Sequence, residues 1–329
     1  MVKITKAKKE KMDKLSTSDG VINALAIDQR GALKKMIKQL GAEPKDEMIE
    51  EFKRLVSQTL TSYTSAILLD PEYGIKAANA RDEKAGLLLA YEESGYDTTS
   101  SGRLPDLLND WSVLRLKGEG ADAIKFLLYY DVDEDAQINH LKHVFVERLG
   151  SECAGEEVPF YLELLSYDAQ NDDTSSREYA KIKPHKVIEM MKEFTKPQYH
   201  VDVLKVEIPV NMQFVEGYGN EEPVYTKEEA ESYFKEQSLA TDLPFIFLSA
   251  GVSTKLFQET LVLAKEANST FNGVLCGRAT WKDGVTAFIE NGEKGALDWL
   301  RNQGKENIET LNQVVKQTAS PWHDKVEVE

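Results

Sequence analysis

The sequence predicts an α/β fold, a single-domain (β/α)8 TIM barrel, on three observations. Eight short apolar runs bounded by turn residues alternate with segments of helical periodicity along 329 residues. Ionisable residues recur within and just after several of these runs, where barrels carry their chemistry. No glycine-rich nucleotide fingerprint follows the first run, which weighs against a doubly wound open sheet. Neither a low-complexity linker nor a short internal repeat divides the chain.

Residues 1–19 are rich in lysine and read as a basic amphipathic helix or a loosely docked arm. The first strand, 21–27, ends in the polar run Asp28, Gln29, Arg30, Gly31. Helical spacing over 46–64 (Met48, Phe52, Leu55, Val56, Leu60) leads into a strand at 66–69. A helical stretch at 77–84 precedes a third strand at 86–90. Residues 94–108, with several Ser, Thr and Gly, form a loop, and 111–116 are helical in pattern. Strands at 122–127, 158–164 and 202–207 lead to helices at 134–150, 184–195 and 226–239, with polar loops at 168–176 and 216–225. Strands at 244–248 and 272–276 close the series, followed by helices that include 283–301. A terminal helix at 304–318 and a charged tail at 320–329, expected to fray, complete the chain.

A net charge of −16 argues against a nucleic-acid surface or an anionic membrane as partner, though a small anion feels its local pocket instead. Cys153 and Cys276 lie far apart without CxxC spacing, as in a reducing compartment. The N-terminus lacks a secretory h-region, and no apolar run has the length of a membrane span. A soluble cytoplasmic protein is expected, and a homo-oligomer is compatible with it.

The strand at 202–207 carries the feature that most needs explaining. Side chains alternate faces, so Leu204, Val206 and Ile208 share an apolar side while Lys205 and Glu207 point the other way. A lysine there either pairs with an internal carboxylate or is an amine whose pKa is lowered so that it can attack a carbonyl. The other strands help to decide. Alternation places Asp28 with Ala24 and Ala26, Lys125 with Ala123 and Leu127, and Glu163 with Tyr161 and Leu165, each opposite the row that packs under helices. Asp28, Lys125, Glu163 and Lys205 are therefore expected to converge in the lumen. A self-balancing charge network is the bland alternative, but such networks stabilise weakly. In the functional reading the Lys125 ammonium and the dry lumen lower the pKa of Lys205, and Glu163 relays protons.

Ser249 and Gly251 precede a helix start that Ser253 can cap, and Gly277 and Arg278 follow the last strand. Freed backbone N–H groups, a helix N-terminus and an arginine are the parts of a phosphate site, which barrels often place after strands seven and eight. His140 and His143 lack partners at metal-ligand spacing, and all five histidines read as surface residues. Cys276 and the four tryptophans read as packing residues.

The runs at 26–31, 67–74, 125–130, 202–207 and 273–281 resemble the bacterial tagatose 1,6-bisphosphate aldolases, class I Schiff-base enzymes of galactose and lactose breakdown. The likeness extends from about Leu15 to Trp322. It implies a barrel lyase that splits a phosphorylated ketohexose through an imine on lysine, with no cofactor and no metal. Lys205 matches the imine-forming lysine and Glu163 the acid/base, with Asp28 and Lys125 the polar pair beside them. Ser249, Gly251, Gly277 and Arg278 match the cradle for the C1 phosphate, and Gln29 and Leu248 join this substrate-binding set.

Relaxed choice among epimeric ketohexose bisphosphates is a trait of the family. The muscle-type fructose-bisphosphate aldolases end in a tyrosine that serves the enamine, and the tail here has none, which points to Glu163 instead. For the second phosphate, Arg30, Lys76, Arg81 and Arg103 are candidates by charge and loop position. Two rivals differ in class. One is a sugar-phosphate-binding regulatory barrel acting through a protein partner; the other is a metal-dependent aldolase, revealed by sensitivity to chelator.

Overall fold

The computed structural model describes residues 1–93, 102–249 and 251–329. Strand β1 (Val2–Ile4) precedes the barrel and β10 (Val326–Val328) follows it. Between them β2 (Ile22–Ala26), β3 (Ala66–Leu69), β4 (Gly86–Ala90), β5 (Ala123–Tyr130), β6 (Phe160–Ser166), β7 (Val203–Val206), β8 (Phe245–Leu248) and β9 (Gly273–Cys276) close in chain order, all parallel. The predicted barrel is thus observed, with strand positions held to within a few residues. Strands β5 and β6 run further at their C-terminal ends than alternation suggested, paired residue by residue from Ile124–Phe160 to Tyr130–Ser166. That extension carries Tyr129 to the rim of the barrel.

Two apolar layers follow from the pleat. Ala24, Leu68, Leu88, Ala123, Tyr161, Val203, Ile246 and Leu275 fill the lumen, small residues making room for the tyrosine. Leu25, Ile67, Phe126, Leu162, Leu204, Phe247 and Val274 face outward into the core beneath the helices. Cys276 belongs to this outer layer, as expected of a packing residue. No helix among the described residues is long and apolar enough to cross a membrane.

The ends of the chain are better anchored than the sequence suggested. The arm is a helix, Lys6–Lys14, whose Met12 is buried with Leu15 and Trp322 under the lumen. The tail does not fray: Trp322 is fully buried, donates to the Ser16 hydroxyl at 3.0 Å, and leads into β10, which pairs with β1. A buried indole with a satisfied N–H outweighs the charges around it. The helix Gly31–Gln39 escaped notice because only Leu33 and Ile37 are buried among its polar residues. The helix expected from 184 begins earlier, at Arg177, capped by the Ser176 hydroxyl and passing through Pro184. Of the predicted loop at 94–108, residues 94–101 lie outside the described residues.

One buried ion pair braces the wall next to Asp28. Lys53, on the helix Asp46–Leu60, meets Asp70 at the end of β3, and both side chains are wholly buried. Asp70 also accepts from the backbone N–H of Tyr73 at 2.8 Å. Asp70→Asn strands the Lys53 ammonium without its counter-charge, and a loss of about 3–5 kcal/mol in urea unfolding is expected. A loss below about 1 kcal/mol would mean that the pair is neutral to the fold.

Candidate active site

The register of the barrel assembles the site. Pairing of β6 with β7 sets Glu163 beside Lys205, and pairing of β5 with β6 puts Lys125 two residues below the partner of Glu163. One Glu163 oxygen, Oε1, stands 2.7 Å from Lys205 Nζ; the other, Oε2, stands 2.7 Å from Lys125 Nζ. Asp28, just beyond β2, accepts from Lys125 Nζ at 3.0 Å. The four predicted lumen residues therefore meet.

A fifth group was missed. Glu92 Oε1 accepts from Lys125 Nζ at 2.5 Å, and its Oε2 accepts from the backbone N–H of Leu127. Leu88, Ala90 and Glu92 share the inward face past the end of β4, so alternation applied to the third strand would have found it. The five side chains are at most 12 % exposed, Asp28 being the most open.

Charge sets the protonation pattern. Burial works to raise the Asp28 and Glu163 carboxyls, but Lys125 and then Lys205 outweigh it and hold both below the usual carboxylate range. Burial prevails at Glu92, which is raised despite Lys125. Lys125 is desolvated, yet Asp28, Glu163 and Glu92 together lift it well above the ordinary lysine value, so it stays an ammonium. The expected direct action of Lys125 on Lys205 needs correcting. The carboxylate of Glu163 stands between the two amines, and three carboxylates share Lys125.

One buried acceptor in this pocket, Gln29 Oε1, has no hydrogen-bond partner among the described residues. Buried polar atoms are ordinarily paired, so it is open to a hydroxyl-bearing ligand. The tie from Glu163 to Lys125 is ionic, while Gln29 Nε2 donates to Asp28 at 3.1 Å.

The second predicted cluster also comes together. Gly251 has φ +78°, and a β-carbon there would come within 3.0 Å of the Arg278 guanidinium. Gly277 passes so near the first strand that a β-carbon would meet the Ala26 carbonyl at 3.0 Å, with Gln29 just beyond. Both glycines thus permit a close approach of backbone that a side chain would block. Ser253 caps the helix Thr254–Glu266, its hydroxyl accepting from Leu256 N–H. Ser249 and Leu248 are buried at the end of β8, and Ser249 bonds to the Cys276 thiol, which burial pushes up to about 12. Lys35 and Lys282 line the groove that runs from Gly251 and Arg278. The groove thus gathers Arg278, Lys35 and Lys282, with Asp283 as its acidic residue.

Other candidates do not belong here. His143 is half-buried, stacked among Tyr130, Phe194 and Tyr199, so it is a packing residue rather than a surface one. Arg30 is locked to Glu72 and the Glu92 carbonyl. Lys76 pairs with Glu50 at the surface, and Arg81 donates to the Ala78 and Ala85 carbonyls. Of the four cations considered for a second phosphate, Arg103 alone overlies the rim of β5.

Comparison with known proteins finds relatives among aldolases. The family model described as DeoC/LacD family aldolase matches residues 22–283. A tagatose 1,6-diphosphate aldolase 2 of Enterococcus faecalis is 73% identical over 328 residues, covering 100% of this chain and 99% of its own. A tagatose 1,6-diphosphate aldolase of Streptococcus pneumoniae is 56% identical over 324 residues, covering 98% and 99%. Among solved structures, a fructose-bisphosphate aldolase from Plasmodium falciparum superposes with a TM-score of 0.72 at 17% identity, over 97% of each chain. A Schiff base-forming fructose-1,6-bisphosphate aldolase gives 0.57 at 13% identity, over 94% of this chain and 99% of its own. At such identities the two structures speak to the fold alone.

Proposed function

We propose, from the premise that this chain belongs to the DeoC/LacD family of aldolases, the reaction it runs and the residues that run it. It cleaves D-tagatose 1,6-bisphosphate to glycerone phosphate and D-glyceraldehyde 3-phosphate, the activity named for its close relatives. Its place is the tagatose-6-phosphate route of galactose and lactose breakdown, in the cytoplasm. The observation that supports the mechanism is the Glu163 carboxylate held between Lys205 and Lys125 inside the barrel.

Glu163 first takes a proton from the Lys205 ammonium 2.7 Å away. The freed amine attacks the C2 ketone, an N–H proton passes to the oxygen, and Glu163 returns its proton to the departing hydroxyl, so that water leaves and an iminium ion remains. The iminium draws the electron pair of the C3–C4 bond as that bond breaks, while a base takes the C4 hydroxyl proton. Glu163 is the better base of the two candidates. It touches Lys205, whereas Asp28 is tied to Lys125 and Gln29. The first aldehyde product departs, C3 of the enamine takes a proton, and water hydrolyses the iminium to free Lys205. Glu163 also supplies that last carbon-bound proton. The tail lies at the opposite end of the barrel, where β10 pairs with β1. Gly251, Gly277, Arg278, Ser249, Leu248 and Gln29 hold the C1 phosphate end and fix C2 before the amine, which lowers the barrier by positioning.

Borohydride reduction in the presence of glycerone phosphate tests the scheme. A single covalent adduct is expected on the peptide containing Lys205, and turnover is expected to survive EDTA. An adduct on another residue, or activity lost to chelator and restored by a divalent metal, overturns the assignment.

A further inference from the structure

A ketohexose bisphosphate carries phosphates at both ends, and the cradle at Gly251, Gly277 and Arg278 accounts for one. Resting on the function proposed above, we propose that Arg103 is the principal ligand of the second phosphate, the one that leaves on the aldehyde product. Strand order fixes where that group must lie. The cradle sits beyond β8 and β9, and across a ring of eight strands the facing wall is built by β4 and β5, with β6 beside them. Arg103 comes from the connection between β4 and β5, whose base is closed by the bridge from Glu92 to Leu107.

Its guanidinium lies over two rings on that wall. It is 5.3 Å from the centre of Tyr129 and 4.5 Å from that of Tyr167. Tyr129 stands on β5 above Lys125, near enough for its hydroxyl to sense the charges of Arg103, Glu163 and Lys125. Tyr167 follows β6, and its hydroxyl is pinned by Lys142 at 2.9 Å and by Glu134 at 3.0 Å. The platform therefore places a fork of donors at the mouth, above the reacting groups. Arginine is the side chain that stacks on aromatic faces and binds phosphate bidentately.

The backbone is committed to this placement. Gly102 and Arg103 take successive positive φ angles, +84° and +41°. A non-glycine residue in that region is strained and is kept where its position matters. The ion partner of Arg103 is also replaceable. Arg103 meets Asp172 at 3.2 Å, and that carboxylate is 89% exposed on the loop after β6. Two other cations along this wall are bound to largely buried partners: Lys183 to Glu207, and Lys186 to Asp131. Among the described residues, an exposed aspartate is the ion partner that an incoming phosphate would displace from Arg103.

The test is aldol condensation of glycerone phosphate with D-glyceraldehyde 3-phosphate or with unphosphorylated D-glyceraldehyde. For Arg103→Ala, kcat/KM with the phosphorylated aldehyde is expected to fall at least tenfold relative to the other, chiefly through KM. Borohydride trapping of glycerone phosphate on Lys205 should remain. Arg103→Lys, which keeps the charge without the fork, should lie between. Asp172→Ala removes the competing carboxylate and should lower KM for the phosphorylated aldehyde. Equal loss on both aldehydes, no loss, or an Asp172→Ala variant that behaves like Arg103→Ala overturns the assignment. A wild-type enzyme that turns over neither aldehyde and forms no adduct overturns the proposed function itself, and this inference with it.

Discussion

Lys205→Ala is expected to lower kcat for bisphosphate cleavage by at least about 10⁴-fold, the scale on which enzymes lose a covalent nucleophile. No side chain nearby among the described residues can replace it. Lys125 is the other amine in the lumen, but three carboxylates hold it as an ammonium, so it has no lone pair to offer a ketone. Substrate should still bind, because the cradle of Gly251, Gly277 and Arg278 lies beyond β8 and β9, on other strands. KM should change far less than kcat.

The fold should persist as well. Removing the Lys205 ammonium leaves Glu163 paired with Lys125 at 2.7 Å, so no isolated charge is created. The expected signature is a cooperative unfolding transition near that of the wild type, no borohydride adduct with glycerone phosphate, and negligible turnover. Turnover within tenfold of the wild type would remove the imine from the mechanism.

Much of this was legible because a barrel turns sequence alternation directly into geometry. Once Leu204 and Val206 are assigned to the helix-facing side, Lys205 must enter the lumen, and the same step brings in Asp28, Lys125 and Glu163. Glu92 was equally accessible by that rule, but it lies just past the end of its strand, where the apolar run no longer marks the pleat. The phosphate cradle was legible as glycines and an arginine at the right strand ends. That Gly251 abuts Arg278 is a long-range contact that no local pattern contains.

The platform beneath Arg103 was hidden for the same reason. It needs Tyr129 and Tyr167, from different strands, to meet a loop residue. The anchoring of Trp322 under the barrel likewise depends on Ser16, some three hundred residues away in the chain. A charged tail read locally gives no hint of it.

Lys125→Met should disable both chemistry and fold, and the dependence on pH separates the causes. Asp28, Glu92 and Glu163 all face the Lys125 ammonium, with Lys205 beyond Glu163, and the Lys53–Asp70 pair and Arg30 complete the charged surroundings. The depressed Asp28 and Glu163 carboxyls contribute stability above their unfolded values, about 4, and lose it as pH falls through their lower folded values. The raised Lys125 contributes stability below its unfolded value, about 10.4, and loses it as pH rises through its folded one. Both gains are present together at neutral pH. Glu92, raised, favours the fold below its unfolded value of about 4.3 and loses that contribution as pH climbs through its folded value.

Without the lysine, three carboxylates crowd around the single ammonium of Lys205 and gain by taking up protons. A deficit of about 3–5 kcal/mol against the wild type is expected at pH 8, shrinking toward pH 5. Cleavage should drop by about 10²–10⁴-fold, since Glu163 loses the cation that fixes its second oxygen. Urea unfolding at the two pH values reads the first effect, and kcat reads the second. A deficit that is the same at pH 5 and pH 8 would mean that Lys125 serves the barrel by packing alone.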